Sequence, residues 1–142
     1  AVAVAGVASF TALACDRAAT LSLTFSSPGL RSVSQSLDVA PGPRAKLSLV
    51  AQAAGATGAT AFDVQPVVAV QDSWGNTVTS DRSTVVTATL SDATSVVSLG
   101  VATAADGIAR FAALAHGPAG TFSLLFAAPG LVGATQTGLE VR

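Results

Sequence analysis

Methionine and tyrosine are missing altogether from this 142-residue chain, and lysine, histidine, cysteine, tryptophan, asparagine and isoleucine each occur once. The scarcities exclude whole classes of chemistry. Lys46 and six scattered Arg give a net charge of −1, with none of the clustered basic surface that a nucleic-acid binder needs. Charged residues are only 11% and hydrophobic residues 50%, the reverse of a disordered chain. No apolar run reaches the length of a membrane-spanning helix. Cys15 has no partner for an intrachain disulfide.

Catalysis and metal binding fail on inventory. His116 is the sole histidine, and Cys15 stands at the equivalent place 101 residues earlier, so the position tolerates change and no nucleophile–histidine–acid set is expected. Zinc needs three or four convergent Cys, His or carboxylate ligands, and one Cys with one His does not provide them. Asp16, Asp38, Asp63, Asp72, Asp81, Asp92, Asp106 and Glu140 stand singly, with no Asp-x-Asp pair of the calcium-loop kind. Gly55 and Gly58 lack the Lys-Ser/Thr of a phosphate loop, and no Asn-x-Ser/Thr sequon occurs. The expectation is a non-enzymatic chain with no cofactor and no metal. Asp72 with Asn76 is the one pair that could hold Ca²⁺, against a structural role in a turn. Ser, Thr and Pro remain available for O-linked sugar or hydroxylation.

What is present is a repeat. Gly6, Phe10, Leu13, Leu23, Phe25, Pro28 and Gly29 recur as Gly107, Phe111, Leu114, Leu124, Phe126, Pro129 and Gly130, an offset of 101. Fifteen of the thirty positions from 6 to 35 are identical to their counterparts. The match runs without a gap until one inserted residue brings Leu37 and Val39 onto Leu139 and Val141. A period near 100 is the size of one β-sandwich module. The chain therefore divides into residues 1–40, the C-terminal part of one module, and 41–142, a complete module. Pro41 and Pro43 stiffen the junction, because each fixes φ. Ala1 opens inside a strand-like run, so the chain reads as an internal stretch of something longer. Cys15 and His116 occupy equivalent places in the two copies, which marks the position as a tolerant surface loop.

Alternation places the strands. Leu21, Leu23 and Phe25 point one way and Phe122, Leu124 and Phe126 repeat the pattern. Leu47 and Leu49 open the full module; Val64, Pro66, Val68 and Val70 share a face, with Pro66 marking an edge strand or a bulge. Asp72 to Asn76 is a turn, Thr84 to Leu90 and Val96 to Val101 are strands, and Asp106-Gly107 is a tight turn. Residues 108–114, 121–127 and 136–141 complete the set. About seven short strands without a helix predict an all-β, immunoglobulin-like sandwich repeated once completely and once in part. Residues 1–40 hold too few strands for a core. The missing strands are expected from upstream sequence or another chain, so this segment should not stand as an exposed hairpin.

Val70-Gln-Asp72, Gly75-Asn76 and Val78, then Gly107, Ala109 and Phe111, then Gly120, Phe122, Leu124 and Pro129-Gly-Leu131 resemble the bacterial Ig-like repeats of invasin- and intimin-type surface proteins. The resemblance covers most of 60–142 and, through the repeat, 6–39. The Ala, Val, Gly and Ser bias is similar to that of proteins from GC-rich genomes. Large algal or bacterial surface fibre proteins, of the mastigoneme glycoprotein type, look like hosts for such repeats.

The resemblance implies an extracellular or cell-surface structural module of a fibre, stalk or adhesin. Its partners would be neighbouring repeats of the same chain and other copies in a filament. A glycan- or protein-binding module using loop tips near Trp74 and His116 is the rival, and an accessory domain of a secreted enzyme is a third reading. Trp74, alone at a turn, is either a cap over one end of the sandwich or an exposed anchor for a partner.

Overall fold

The computed structural model describes residues Ala1–Arg142. It is all-β with no helix, and it separates into two compact units, Ala1–Ala40 and Pro41–Arg142.

The first unit holds two hairpins. β1 (Ala3–Val4) pairs with β2 (Val7–Ala8) around a turn in which Ala5 and Gly6 take φ of 49° and 80°. β3 (Ala19–Phe25) pairs antiparallel with β4 (Val33–Val39) in unbroken register, from Ala19 opposite Val39 to Phe25 opposite Val33. No residue of this unit is fully buried. The expectation that residues 1–40 would not be an exposed pair of hairpins is therefore corrected. The reason is inventory: two seven-residue strands cannot bury both faces of anything.

The second unit is a sandwich of two sheets. β5 (Lys46–Ala51), β6 (Val67–Gln71) and β9 (Ile108–Arg110) form one, in the order β5-β6-β9. β7 (Val85–Ser91), β8 (Val96–Thr103), β10 (Gly120–Ala127) and β11 (Ala134–Val141) form the other, in the order β11-β10-β7-β8. All pairings within the sheets are antiparallel. A three-strand sheet of first, second and fifth strands facing a four-strand sheet of the rest is consistent with an immunoglobulin-like sandwich.

The core follows from alternation. Val86, Ala88 and Leu90 of β7 and Phe122, Leu124 and Phe126 of β10 point inward, with Leu139 and Val141 of β11. Leu47, Val68, Val70 and Ala109 meet them from the other sheet, and Phe62, Phe111 and Leu114 close the cluster from loops. Six Ala or Val side chains among these show how small residues fill a narrow core around a few Phe.

The sequence expectations for β6 need two corrections. Pro66 does not mark an edge: β6 is the central strand, and Pro66 lies just before its first residue, where a missing N–H costs the ladder nothing. The bulge falls instead on the neighbouring strand, where the register shifts between Leu49 and Ala51. Val64 does not share the inward face; it is exposed and bridges Ala54 in the loop before β6. The strand expected over 108–114 is only three residues long, because 111–119 turn away to pack Phe111 and Leu114 inward.

The two copies share a backbone. Asp106 and Gly107, with φ of 50° and 76°, repeat the turn of Ala5 and Gly6, and the Ala105–Ile108 bridge repeats the Val4–Val7 pair. Phe10 and Phe25 lie 5.0 Å apart at 50°; Phe111 and Phe126 lie 5.5 Å apart at 48°. Phe25–Val33 and Leu23–Gln35 recur as Phe126–Ala134 and Leu124–Gln136. The register then slips by one between Phe122 and Leu124. The residue inserted in the sequence is thus a β-bulge, with Gly138 at φ 72° supplying the left-handed conformation it requires. Gln136, inward and buried, uses its amide to donate to Ala53 O and accept from Ala53 N, both at 2.8 Å. That bidentate pair ties β11 to the loop after β5.

Candidate functional site

The most elaborated polar region of the second unit lies where β6 gives way to the loop leading to β7. Asp72 follows the strand directly. Its backbone N–H donates to Asn76 O at 2.9 Å, and Gly75, at φ 93°, donates to Asp72 O at 3.2 Å, closing a tight loop. The buried carboxylate organises that loop. Oδ1 accepts from the backbone N–H of Trp74 (3.0 Å) and Asn76 (2.9 Å). Oδ2 accepts from Gly42 N–H (2.9 Å) and the Asn76 amide (2.8 Å). Burial alone would raise this carboxyl, but the Asn76 amide and the three backbone donors outweigh it and hold it at about 2. All four acceptor positions are taken. Of the two roles open to Asp72 and Asn76, the contacts are those of a turn: the carboxylate is spent on N–H groups, and Asn76 turns a donor toward it.

Asp81 is a second hub that sequence reasoning passed over. Oδ1 accepts from Ser83 N–H (3.0 Å) and Thr84 N–H (2.9 Å), and Oδ2 from the Thr84 hydroxyl (2.6 Å) and Arg44 Nη1 (3.2 Å). Its backbone carbonyl accepts from Gly107 N–H at 2.8 Å. Burial pushes the carboxyl up, yet the Thr84 hydroxyl, the two amides and Arg44 together bring it well below the usual carboxylate range. The available sign was Asp followed by Ser/Thr two and three residues on, a local side-chain-to-backbone motif. The same pattern recurs at Asp92, whose carboxylate takes the N–H groups of Thr94 and Ser95 at 2.7 Å each in the turn between β7 and β8.

These lowered carboxyls fix the sign of the acid response. A carboxyl whose folded pKa lies below its unfolded value stabilises the fold above the unfolded pKa and loses that contribution as pH falls through the folded one. Denaturation midpoints should therefore stay nearly level from pH 7 to about 5 and fall between roughly pH 4 and 2. Asp81→Asn should make that fall shallower. A midpoint unchanged down to pH 2 would contradict the network.

Trp74 is held on this rigid loop. Its ring edge lies beside Gly42, where an added Cβ would come within 3.2 Å, yet the side chain is 64% exposed. It does not cap the core, because most of the ring is open to solvent. His116 lies in the loop between β9 and β10 and stacks edge-on against Phe122 at 4.7 Å.

The loop tips of Trp74 and His116 lie at opposite ends of the sandwich. The Trp74 loop leads into the start of β7, which pairs with the far end of β10 (Thr87 opposite Ala127), whereas His116 leads into the first residue of β10. Eight strand residues separate those ends, roughly 25 Å. Cys15, at the place equivalent to His116 in the first unit, is exposed, its thiol near Arg17 O.

An open groove of about 540 Å3 runs between residues 52–57 and 136–142, with Gln136 and the bulge at Gly138 along one side. Its only charged side chains, Glu140 and Arg142, pair with each other at 3.3 Å. No group of three or more His, Cys, Asp or Glu converges anywhere in the chain. No helix is long and apolar enough to cross a membrane. The arrangement can position loops and present one aromatic ring. No family model matches the chain, and no curated protein matches it.

Proposed function

We propose that the chain is a non-catalytic structural segment of an extracellular or cell-surface fibre, stalk or adhesin built from tandem repeats of this sandwich. The observation that carries the reading is how the second unit is entered and left. Residues 42–46 lie at the end marked by Asp72 and Val132, and Arg142 leaves at the opposite end, beside Ala56 and Gly58. Entry and exit at opposite ends of the unit are what lets repetition set length.

The same geometry resists tension. Near the entry, Leu47 N–H donates to Val132 O (2.7 Å) and Val132 N–H to Ala45 O (3.1 Å). Near the exit, Gly58 N–H donates to Arg142 O (2.6 Å) and Arg142 N–H to Ala56 O (3.0 Å). Both contacts are parallel bridges between the first and last segments of the module. A pull on residues 41 and 142 loads both sets of bonds together, along the strand direction, instead of opening them one at a time. The repeat period, the surface poor in charge and the resemblance to invasin- and intimin-type repeats support the same reading.

Stretching a tandem of the 41–142 unit by its ends should give discrete unfolding events, each releasing roughly 300 Å of chain after subtraction of the folded length. Smooth extension without events would overturn a load-bearing role.

The second reading is a contact module recognising glycan or protein through Trp74. The observation in its favour is a single, highly exposed Trp on a loop fixed by four hydrogen bonds to one carboxylate. Trp74→Ala should change unfolding free energy by no more than about 0.5 kcal/mol. Glycan-array binding that is abolished by this substitution would move the assignment from structure to recognition.

A further inference from the structure

The first unit exposes what the second unit buries. Phe10, Leu13 and Leu37 are 48%, 62% and 41% exposed, while their counterparts Phe111, Leu114 and Leu139 are 5%, 4% and 4%. The open side carries a strand edge as well as an apolar face. β10 is paired on both sides, by β11 and β7, but β3 is paired only by β4. An unpaired edge beside a half-buried row of Leu21, Leu23 and Phe25 is a place where another strand adds.

The second copy states what that strand is and how it lies. Ser123, Leu124, Leu125, Phe126 and Ala127 face Ser91, Leu90, Thr89, Ala88 and Thr87 of β7. Shifted by 101, the partners of Ser22, Leu23, Thr24, Phe25 and Ser26 are the same five positions of a β7-like strand, antiparallel to β3. Its inward residues are apolar and its outward ones hydroxyl-bearing, as in Val86, Ala88 and Leu90 against Thr87, Thr89 and Ser91. Gln35 is equivalent to Gln136, whose amide clasps the backbone of Ala53 in the second copy. In the first copy that amide side chain is exposed, ready for the matching backbone of an added segment.

Connectivity selects the occupant. Ala1 is equivalent to Ala102 in β8, and the Ala3–Val4 strand continues into its turn as Ala104 and Ala105 continue into theirs. The backbone therefore enters the first unit as the end of a β8 strand. A second copy of this chain does not fit the vacancy, because its own β5–β8 are already engaged with β9–β11.

We infer that residues 1–40 are the acceptor half of a module, and that their open face is completed by a segment equivalent to residues 41–101, joined to Ala1 in the same chain, whose β7-like strand pairs with the free edge of β3. The inference rests on the repeat and not on the fibre reading; it holds whatever the modules are used for.

The test joins a duplicate of residues 41–101 ahead of Ala1 in the otherwise intact 142-residue chain and follows backbone amide exchange. In the unextended chain the amides of 21–25 should exchange fast while those of 122–126 are protected. In the extended chain protection at 21–25 should rise at least about 100-fold, toward that of 122–126, and Phe25→Ala should abolish the gain. Amides of 21–25 that still exchange fast while 122–126 stay protected overturn the inference. Should the extended chain precipitate, a peptide of residues 84–92 added to the unextended chain must protect 21–25 saturably, and failure to do so is equally decisive. Protection at 21–25 that grows with concentration of the unextended chain alone would make the face a homotypic interface and would also overturn it.

Discussion

Phe126→Ala should lower the unfolding free energy of the 41–142 unit by about 3–5 kcal/mol, whereas Phe25→Ala at the equivalent position should cost less than about 1 kcal/mol. Phe126 has no exposed surface and lies one residue before the end of β10, opposite Ala88 of the adjacent strand and 5.5 Å from the Phe111 ring. Truncation leaves a void of phenyl size, and a core of short Ala and Val side chains has little reach with which to fill it. Phe25 keeps its ring partner, Phe10, but both rings remain in contact with water. With total stability of about 5–15 kcal/mol for a domain, the first substitution alone brings the second unit close to unfolding. Urea titrations of the two variants, followed by circular dichroism, measure the contrast. A loss below about 1 kcal/mol for Phe126→Ala would show that this ring does not hold the core.

Gly107→Ala is the second large effect, on the order of 3 kcal/mol, again with a mild twin at Gly6. Gly107 combines a φ of 76° with a neighbour that leaves no room: an added Cβ would come within 2.5 Å of Val78 O and 2.9 Å of Thr77 Cγ2. Its N–H and C=O are also committed, to Asp81 O and Val70 N–H. The turn cannot move without disturbing the Asp81 hub and the end of β6. Gly6 has the same sign of φ, 80°, but nothing within 4 Å of the added atom. Gly6→Ala should cost only the left-handed penalty, about 1–2 kcal/mol, confined to the β1–β2 hairpin and invisible in the unfolding of 41–142. Thermal unfolding of the two variants separates conformational strain from steric exclusion. Equal effects at the two positions would contradict the packing described around Gly107.

The pattern of Phe, Leu and Gly in register is enough to place β7, β8, β10 and β11 and the turn at Asp106, because half-buried strands and left-handed turns leave marks on single residues. The failures have physical causes. Pro66 suggested an edge because a missing N–H forbids ladder bonding, but the rule does not apply to a residue one step before the strand. The three-residue β9 could not be separated from residues 111–114, since Phe and Leu in a loop that folds over the core look like Phe and Leu in a strand. Asp72 was read correctly as a turn residue, while Asp81 was missed; its value comes from Arg44 and Gly107, which lie 37 and 26 positions away in the chain. The pairing of Gln136 with Ala53, 83 positions apart, is of the same kind. Trp74 was legible only as a choice between cap and anchor, and the rigid, exposed ring settles its burial without naming what it touches.

The bulge at Gly138 has a consequence for how the repeat within the chain is recognised. Three steps separate the inward residues Gln136 and Leu139, and an even alternation would have turned Leu139 to solvent. One glycine in a left-handed conformation restores the phase, so sister modules can differ in length by a residue while enclosing the same interior. A comparison made at a rigid spacing loses the kinship of Leu37 with Leu139 and Val39 with Val141. Further members of the series are therefore to be sought by the phase of their buried residues, with a slack of one position before the final strand's second half.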